Sequence, residues 1–258
     1  MREDLMSFNQ KTHDNILNGS LSVIQYKKGF RFGSDAVFLA SFVNGFIETK
    51  KNRKFYIADV GSGVGTVSLI IAFRNPNSNI LAIDNKREYL IIAEENIKIN
   101  NFQDKIKTID NDVFNFDNNL KNSFDLVVSN PPFHKKENNK SKNILEDSAK
   151  RIVNLKKWLE SSLKLLKDEG KIFLIISTDI LYETLNYLSS KSGSFKIFPI
   201  WPNNKKLSKR VIVFARKGGN GPTELMPGLV LYNQQGKMTK NAKLISEDGV
   251  FKFYKQFI

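Results

Sequence analysis

Between residue 55 and about residue 190, apolar positions follow two alternating patterns. Short unbroken runs occur at FYIADV (55–60), NILAID (79–84), IKTI (106–109), FDLVVS (124–129) and KIFLIIS (171–177). Their length and their Val, Ile and Leu content predict strands buried on both faces. Between them, apolar residues recur at helical spacing in TVSLIIAFR (66–74), REYLIIAEENIKIN (87–100), AKRIVNLKKWLESSLKLLKDEG (149–170) and DILYETLNYLSS (179–190). Glu94 and Glu95 are placed to meet Lys98 one turn on, and Gly170 is the expected helix stop. The last runs, SFKIFPI (194–200) and KRVIVFARK (209–217), have no helix between them and predict an antiparallel hairpin. Together these elements predict an α/β fold: a mainly parallel seven-stranded sheet, an antiparallel edge hairpin and helices on both faces.

Two flanks remain. Residues 19–43 read as a short strand or hairpin followed by a helix starting near Ser34. Residues 218–258 open with the loop GGNGPTELMPG, then LVLY and a polar tail.

Composition narrows the classes. The 258 residues are 41% hydrophobic and contain no cysteine and two histidines, His13 and His134. Disulfides and thiolate metal sites are excluded, and no metal is expected. The polar start MREDLMSFNQKTHD is unlike a signal peptide, and no apolar run approaches a membrane span. A soluble, cytoplasmic, monomeric protein is expected.

The net charge of +14 changes the picture by favouring a polyanion such as nucleic acid. Residues 191–217 carry eight Lys or Arg and no acid. Trp201, Lys205, Lys206, Lys209 and Arg210 form a basic segment beside an aromatic, suited to phosphate contact and base stacking. A solvated hairpin turn is the alternative reading.

Candidate chemistry begins where the first strand runs into DVGSGVG: Asp59, Gly61, Ser62, Gly63 and Gly65. A strand, a glycine turn and a helix form a nucleotide-cofactor arrangement, because glycine permits positive φ and close backbone approach. The dinucleotide pattern GxGxxG fails at Thr66, and no GK[ST] follows. An acid two positions before the first glycine suits a cationic ligand such as S-adenosylmethionine better than a pyrophosphate. Asp84, ending the second strand, is placed to accept from ribose hydroxyls, and Asp112 from an adenine amino group. Structural alternatives are a helix cap for Asp59 and a turn residue for Asp84, while Asp110 next door weakens the reading of Asp112.

NPPF (130–133) ends the fourth strand, where two prolines cannot continue a ladder. Ligands of open α/β sheets bind outside the carboxyl ends of strands. Asn130 offers a side-chain acceptor, Pro131 a free carbonyl, Pro132 rigidity and Phe133 a flat face. These suit an exocyclic amino group on a planar base, held so that its lone pair can attack a methyl group in line.

DVGSGVG, Asp84, Asp112 and NPPF resemble the class I S-adenosylmethionine-dependent methyltransferases acting on planar NH₂ groups, which have a Rossmann-like fold. LNGSLSVIQYKKGFRFGSDAVFLASF (17–42) resembles the N-terminus of the bacterial tRNA1(Val) adenine-N6 methyltransferases. The resemblance implies that Gln25, Arg31 and Asp35 line the cofactor or substrate pocket, that S-adenosylmethionine is the cofactor and that nucleotide 37 of a tRNA is methylated. It also implies an N-terminal extension over 1–50 packing on the site, a core over 51–218 and a C-terminal extension of the same domain over 219–258. NPPF alone leaves open an rRNA guanine-N2 methyltransferase, a protein glutamine-N5 methyltransferase and a non-catalytic RNA-binding protein. HKKENNKSKN (134–143) reads as a polar loop that orders on RNA.

Overall fold

The computed structural model describes residues 10–28, 31–48, 50, 53–132 and 144–251, with only the backbone for 144–151. The fold is α/β, with mostly parallel strands and an antiparallel hairpin. The chain groups into two compact units, residues 1–111 with 240–258, and residues 112–239. No described helix is long and apolar enough to cross a membrane.

The first unit opens with a hairpin, β1 (Lys11–Ile16) and β2 (Leu21–Tyr26), paired antiparallel from Lys11↔Tyr26 to Ile16↔Leu21. Helix α1 (Ser34–Glu48) follows and is buried along most of its length. Three parallel strands then alternate with two helices: β3 (Phe55–Val60), α2 (Thr66–Arg74), β4 (Ser78–Asp84), α3 (Arg87–Ile99) and β5 (Ile106–Asp110). β4 pairs with β3 on one side and with β5 on the other. Each helix carries the chain back to the amino end of the sheet, which parallel pairing requires.

Asn96 of α3 and Asn100, which caps the carboxyl end of that helix, fasten the hairpin. Asn96 accepts from Ile24 N at 2.6 Å and donates to Ile24 O and Val64 O at 2.9 Å. Asn100 accepts from Ser22 N and donates to Ser22 O. Each amide imitates a neighbouring strand, satisfying backbone groups that β2 would otherwise expose. Glu95 pairs with Lys11 at 2.7 Å and Glu94 accepts from Thr108. The expected pairing with Lys98 is therefore replaced by longer-range contacts, because β1 and β5 offer partners on those faces.

The polar tail contains a helix, α6 (Lys240–Asp248), that sequence patterning missed. Its apolar positions are few, and packing rather than periodicity holds it. Buried Asn44 donates to Gly249 O at 2.6 Å, Phe251 N donates to Ser41 O, and the Phe42 and Phe251 rings meet edge-on. A Cβ on Gly45 would sit 2.7 Å from Phe251 O, so this close crossing needs glycine.

The second unit contains β6 (Phe124–Ser129), α4 (Ile144–Leu165), β7 (Leu166–Ser177), α5 (Leu181–Ser189), β8 (Ser192–Trp201) and β9 (Arg210–Lys217). β6 and β7 are parallel, whereas β9 runs antiparallel to both β7 and β8. Among the described residues, the long strands outside the N-terminal hairpin are thus the seven expected. Two-residue strands β10 (Glu224–Leu225) and β11 (Leu229–Val230) add to β8 and account for the LVLY run.

One boundary needs correction. α4 ends at Leu165, not Gly170, and the chain enters β7 at once. Asn122 N and Ser123 N bond to the carbonyls of Lys164 and Leu165, which ends the helix from outside. Gly170 lies inside an irregular part of β7, where the register shifts and Glu169 has φ 61°.

Candidate functional site

In the first unit, three glycines turn the chain from β3 into α2. Gly61, Gly63 and Gly65 have φ of 73°, 55° and 84°, values costly for any residue with a Cβ. Gly61 N and Ser62 N both donate to Ile83 O, and Gly63 N donates to Asp84 Oδ2 at 2.8 Å. Asp84 Oδ1 accepts from Lys86 N at 2.9 Å. The acid at the tip of β4 therefore shapes the loop itself. Each carboxylate oxygen can accept a second hydrogen bond, so a ribose reading remains chemically open.

Asp59 is only 1% exposed. Its Oδ2 accepts from Ser68 Oγ at 2.7 Å and Ser68 N at 3.2 Å, satisfying an amide in the first turn of α2. Burial pushes its carboxyl up to about 7; the Ser68 bonds oppose this and the nearby Asp84 charge adds to it. The helix-capping role is thus observed, and the acid sits poised between charge states at neutral pH.

The hydroxyls of Ser62 and Thr66 are buried with no hydrogen-bond partner among the described residues. Unpaired buried hydroxyls beside a glycine turn call for a polar ligand. With three left-handed glycines and the two acids, this donor set fits a polar, positively charged nucleoside cofactor.

Gln25, Arg31 and Asp35 belong to the same unit. Gln25 is buried, donating to Asp14 Oδ2 at 2.6 Å and accepting from Phe32 N at 3.2 Å. Arg31 donates to Thr12 Oγ1, Tyr26 O and Asp14 Oδ2 at 2.9–3.1 Å. Both side chains tie the hairpin to the segment leading into α1, with Asp14 as the shared acceptor. Asp14 lies in a polar stretch and gave no sequence signal. Asp35 occupies the first turn of α1, where an acid suits the helix amino end.

In the second unit, Asn130 follows β6 directly. Its Oδ1 is buried and has no hydrogen-bond partner among the described residues. Pro131 is buried and Pro132 is exposed. Phe133, His134 and the 134–143 loop lie outside the described residues. The end of β6 is braced by Trp158, whose indole N–H donates to Ser129 Oγ at 3.1 Å. Trp158 escaped sequence reasoning because an aromatic on an amphipathic helix reads simply as core. Its ring meets Phe114 edge-on at 6.2 Å. Asp112 is exposed, and its Oδ1 accepts from Phe114 N, forming a side-chain turn ahead of that ring.

The basic segment forms the β8–β9 turn. Lys205, Lys206 and Lys209 are exposed, while Trp201 and Arg210 are partly buried at the strand ends. Thr178 donates from its backbone N to Lys209 O and from its hydroxyl to Ser208 O. These bonds pin the turn beside the carboxyl end of β7. β6 and β7 are parallel, with Ser129 opposite Leu174, so the turn shares its end of the unit with Asn130.

The methyltransferase small domain family matches residues 40–198. A protein of a Flavobacteriaceae bacterium (strain 3519-10), named tRNA1(Val) (adenine(37)-N6)-methyltransferase, is 33% identical over 60% of this chain and 63% of its own length. One of the same name from Actinobacillus pleuropneumoniae serotype 7 is 30% identical over 76% of this chain and 82% of its own. Among solved structures, a predicted O-methyltransferase from Agrobacterium tumefaciens superposes with a TM-score of 0.69 at 20% identity, covering 84% of this chain and 97% of that one. That likeness speaks for the fold.

Proposed function

We propose, starting from a chain that belongs to the methyltransferase small domain family and within it to the tRNA1(Val) (adenine(37)-N6)-methyltransferases, that it methylates N6 of adenine 37 in a valine tRNA, with S-adenosylmethionine as donor. The observation that carries the chemistry is the buried Oδ1 of Asn130, which has no hydrogen-bond partner among the described residues. An acceptor left unpaired in a protein interior costs about 1–3 kcal/mol. An exocyclic NH₂ is a donor that relieves this cost.

Bound S-adenosylmethionine supplies a methyl group on a positively charged sulfur. Asn130 Oδ1 and the Pro131 carbonyl accept the two amino hydrogens, which localises the nitrogen lone pair. The prolines hold both acceptors still, and Phe133 stacks on the ring. With its lone pair so held, the base nitrogen would take up the methyl group, the donor would be left as a neutral thioether, and the proton the alkylated nitrogen sheds would pass to water. No side chain must act as a base beforehand. The Asp84-braced glycine loop, with Ser62 and Thr66, holds the cofactor, and the ionised Asp59 favours its positive charge. Gln25 and Arg31 support this side indirectly, through the hairpin. Asp35 and Asp112 are assigned supporting contacts to cofactor or base. Residues 51–218 form the catalytic core flanked by extensions over 1–50 and 219–258, and the chain acts as a monomer. The β8–β9 turn contacts RNA near the modified base.

The test is transfer of labelled methyl groups to unmodified bulk tRNA, followed by nucleoside analysis. Label in N6-methyladenosine is expected. Label in N2-methylguanosine, or none despite measurable cofactor binding, would overturn the assignment.

A further inference from the structure

The second unit has a basic cavity at the end away from Asn130. Its volume is about 250 Å³, and its lining includes Lys121, Asn122, Glu160, Lys164, Lys191 and Lys217. At 40 Lys and Arg in 258 residues, a lining of this size would carry about one cation by chance, and this one carries four.

The lysines converge because of where the chain turns. Lys121 precedes β6, Lys164 stands in the last turn of α4 ahead of β7, Lys191 precedes β8, and Lys217 closes β9. β6 and β7 are parallel and β9 is antiparallel to β7 and β8, so all four positions fall at one end. Asn130 follows the other end of β6. Six strand residues separate the two ends by roughly 20 Å.

The floor of the cavity is fixed. Asn122 N donates to Lys164 O and Gly218 N to Lys191 O. Lys217 Nζ donates to Leu166 O at 2.6 Å and Asn122 Oδ1 at 2.9 Å. The acids nearby do not balance the charge. Glu160 lies 3.9 Å from Lys156, and the fully solvated Asp168 is 3.8 Å from Lys217. Lys121, Lys164 and Lys191 are exposed at the mouth.

We propose that this cavity binds the phosphodiester backbone of the substrate RNA on its paired stem, an inference that rests on RNA being the substrate. Among the described residues the lining contains no aromatic, so it cannot stack an unpaired base, whereas lysines suit phosphates as point charges. A-form stems offer little sequence information and are held mainly through backbone contacts. A grip some 20 Å from the reacting amino group selects RNAs that carry a stem behind the modified loop.

The experiment combines Lys121→Gln, Lys164→Gln and Lys191→Gln and keeps Lys217, which supports the backbone. Filter binding of tRNA over a salt series reads the site independently of methyl transfer. The slope of log affinity against log salt should fall by about two to three, close to one for each phosphate that is no longer neutralised. KM for full-length tRNA should rise about tenfold, while kcat and KM for a short anticodon-loop oligonucleotide stay unchanged. An unchanged salt slope, or an equal loss on both substrates, would overturn the proposal. Loss of inorganic phosphate binding without any change toward tRNA would overturn it in favour of a small anion. Failure of the wild-type chain to methylate tRNA would refute the assigned reaction but leave the binding slope to decide this site.

Discussion

The glycine loop after β3 and the Asn-Pro-Pro turn after β6 follow equivalent strand ends but are finished to different degrees. Asp84 spends both carboxylate oxygens on Gly63 N and Lys86 N, and Asp59 caps α2 through Ser68. Asn130 ends its strand with a buried oxygen that has no partner among the described residues. The glycine loop is braced by its own acids. The Asn-Pro-Pro turn holds an acceptor in reserve. On the proposed reading, residues of the first kind serve stability and binding together, whereas one of the second kind can serve chemistry alone.

The largest expected effect separates the two. Asn130→Ala should lower single-turnover methyl transfer by about 10²–10³, the usual loss for one hydrogen bond aimed at a reacting group. Its thermal midpoint should stay at the wild-type value, because Oδ1 satisfies no protein donor among the described residues. A clear drop in that midpoint would erase the contrast. Asp84→Ala should do the reverse of a clean catalytic lesion. Removing the acceptor for the amides of Gly63 in the loop and Lys86 ahead of α3 should cost about 2 kcal/mol, read as a thermal midpoint lower by about 4–8 °C. Cofactor affinity by calorimetry should fall at least tenfold with it, whereas unchanged stability would show that the loop stands without its acid.

A pH series sharpens the comparison further. Asp59 is raised to about 7 from an ordinary value near 3.8. The folded chain therefore holds a proton that the unfolded chain has released, and stability of the cofactor-free protein should decline as pH rises from 4 through 7. Cofactor affinity should move the other way, rising through the same window as the carboxylate ionises. Asp59→Asn should flatten both curves. Unfolding and titration calorimetry between pH 5 and 8 measure this, and a wild-type affinity independent of pH would separate Asp59 from the cofactor's charge. The smallest effect belongs to the exposed turn. Lys205→Gln with Lys206→Gln should raise KM for tRNA about threefold to tenfold with kcat unchanged, since on the proposed reading each lysine would contribute one screened phosphate contact. A fall in kcat instead would place the turn in the chemistry.

Much of this molecule could be read from residue order. Strands β3 to β6 and helices α2 and α3 fall within a residue of their expected limits, because unbroken Val/Ile/Leu runs and helical periodicity are local signals. The glycine loop and the Asn-Pro-Pro turn were legible for a related reason: left-handed φ and ladder-breaking prolines are properties of the residues themselves. What sequence order could not reveal depends on partners distant along the chain. Asn96 and Asn100 look like ordinary helix residues until β2 presents an edge for them to close. Gln25 and Arg31 read as pocket residues by resemblance, yet their hydrogen bonds converge on Asp14. α4 ends early because Asn122 and Ser123 bond its last carbonyls, and no local signal predicts that. The four lysines of the basic cavity are scattered from residue 121 to 217 and meet because three of them precede strands β6, β7 and β8 while the fourth closes the antiparallel β9. Local chemistry thus determined the strands, the turns and the position of the Asn130 amide. Tertiary structure decided which acids are braces, which acceptor stays open and where the charge collects, because hydrogen bonding and burial depend on neighbours that only folding supplies.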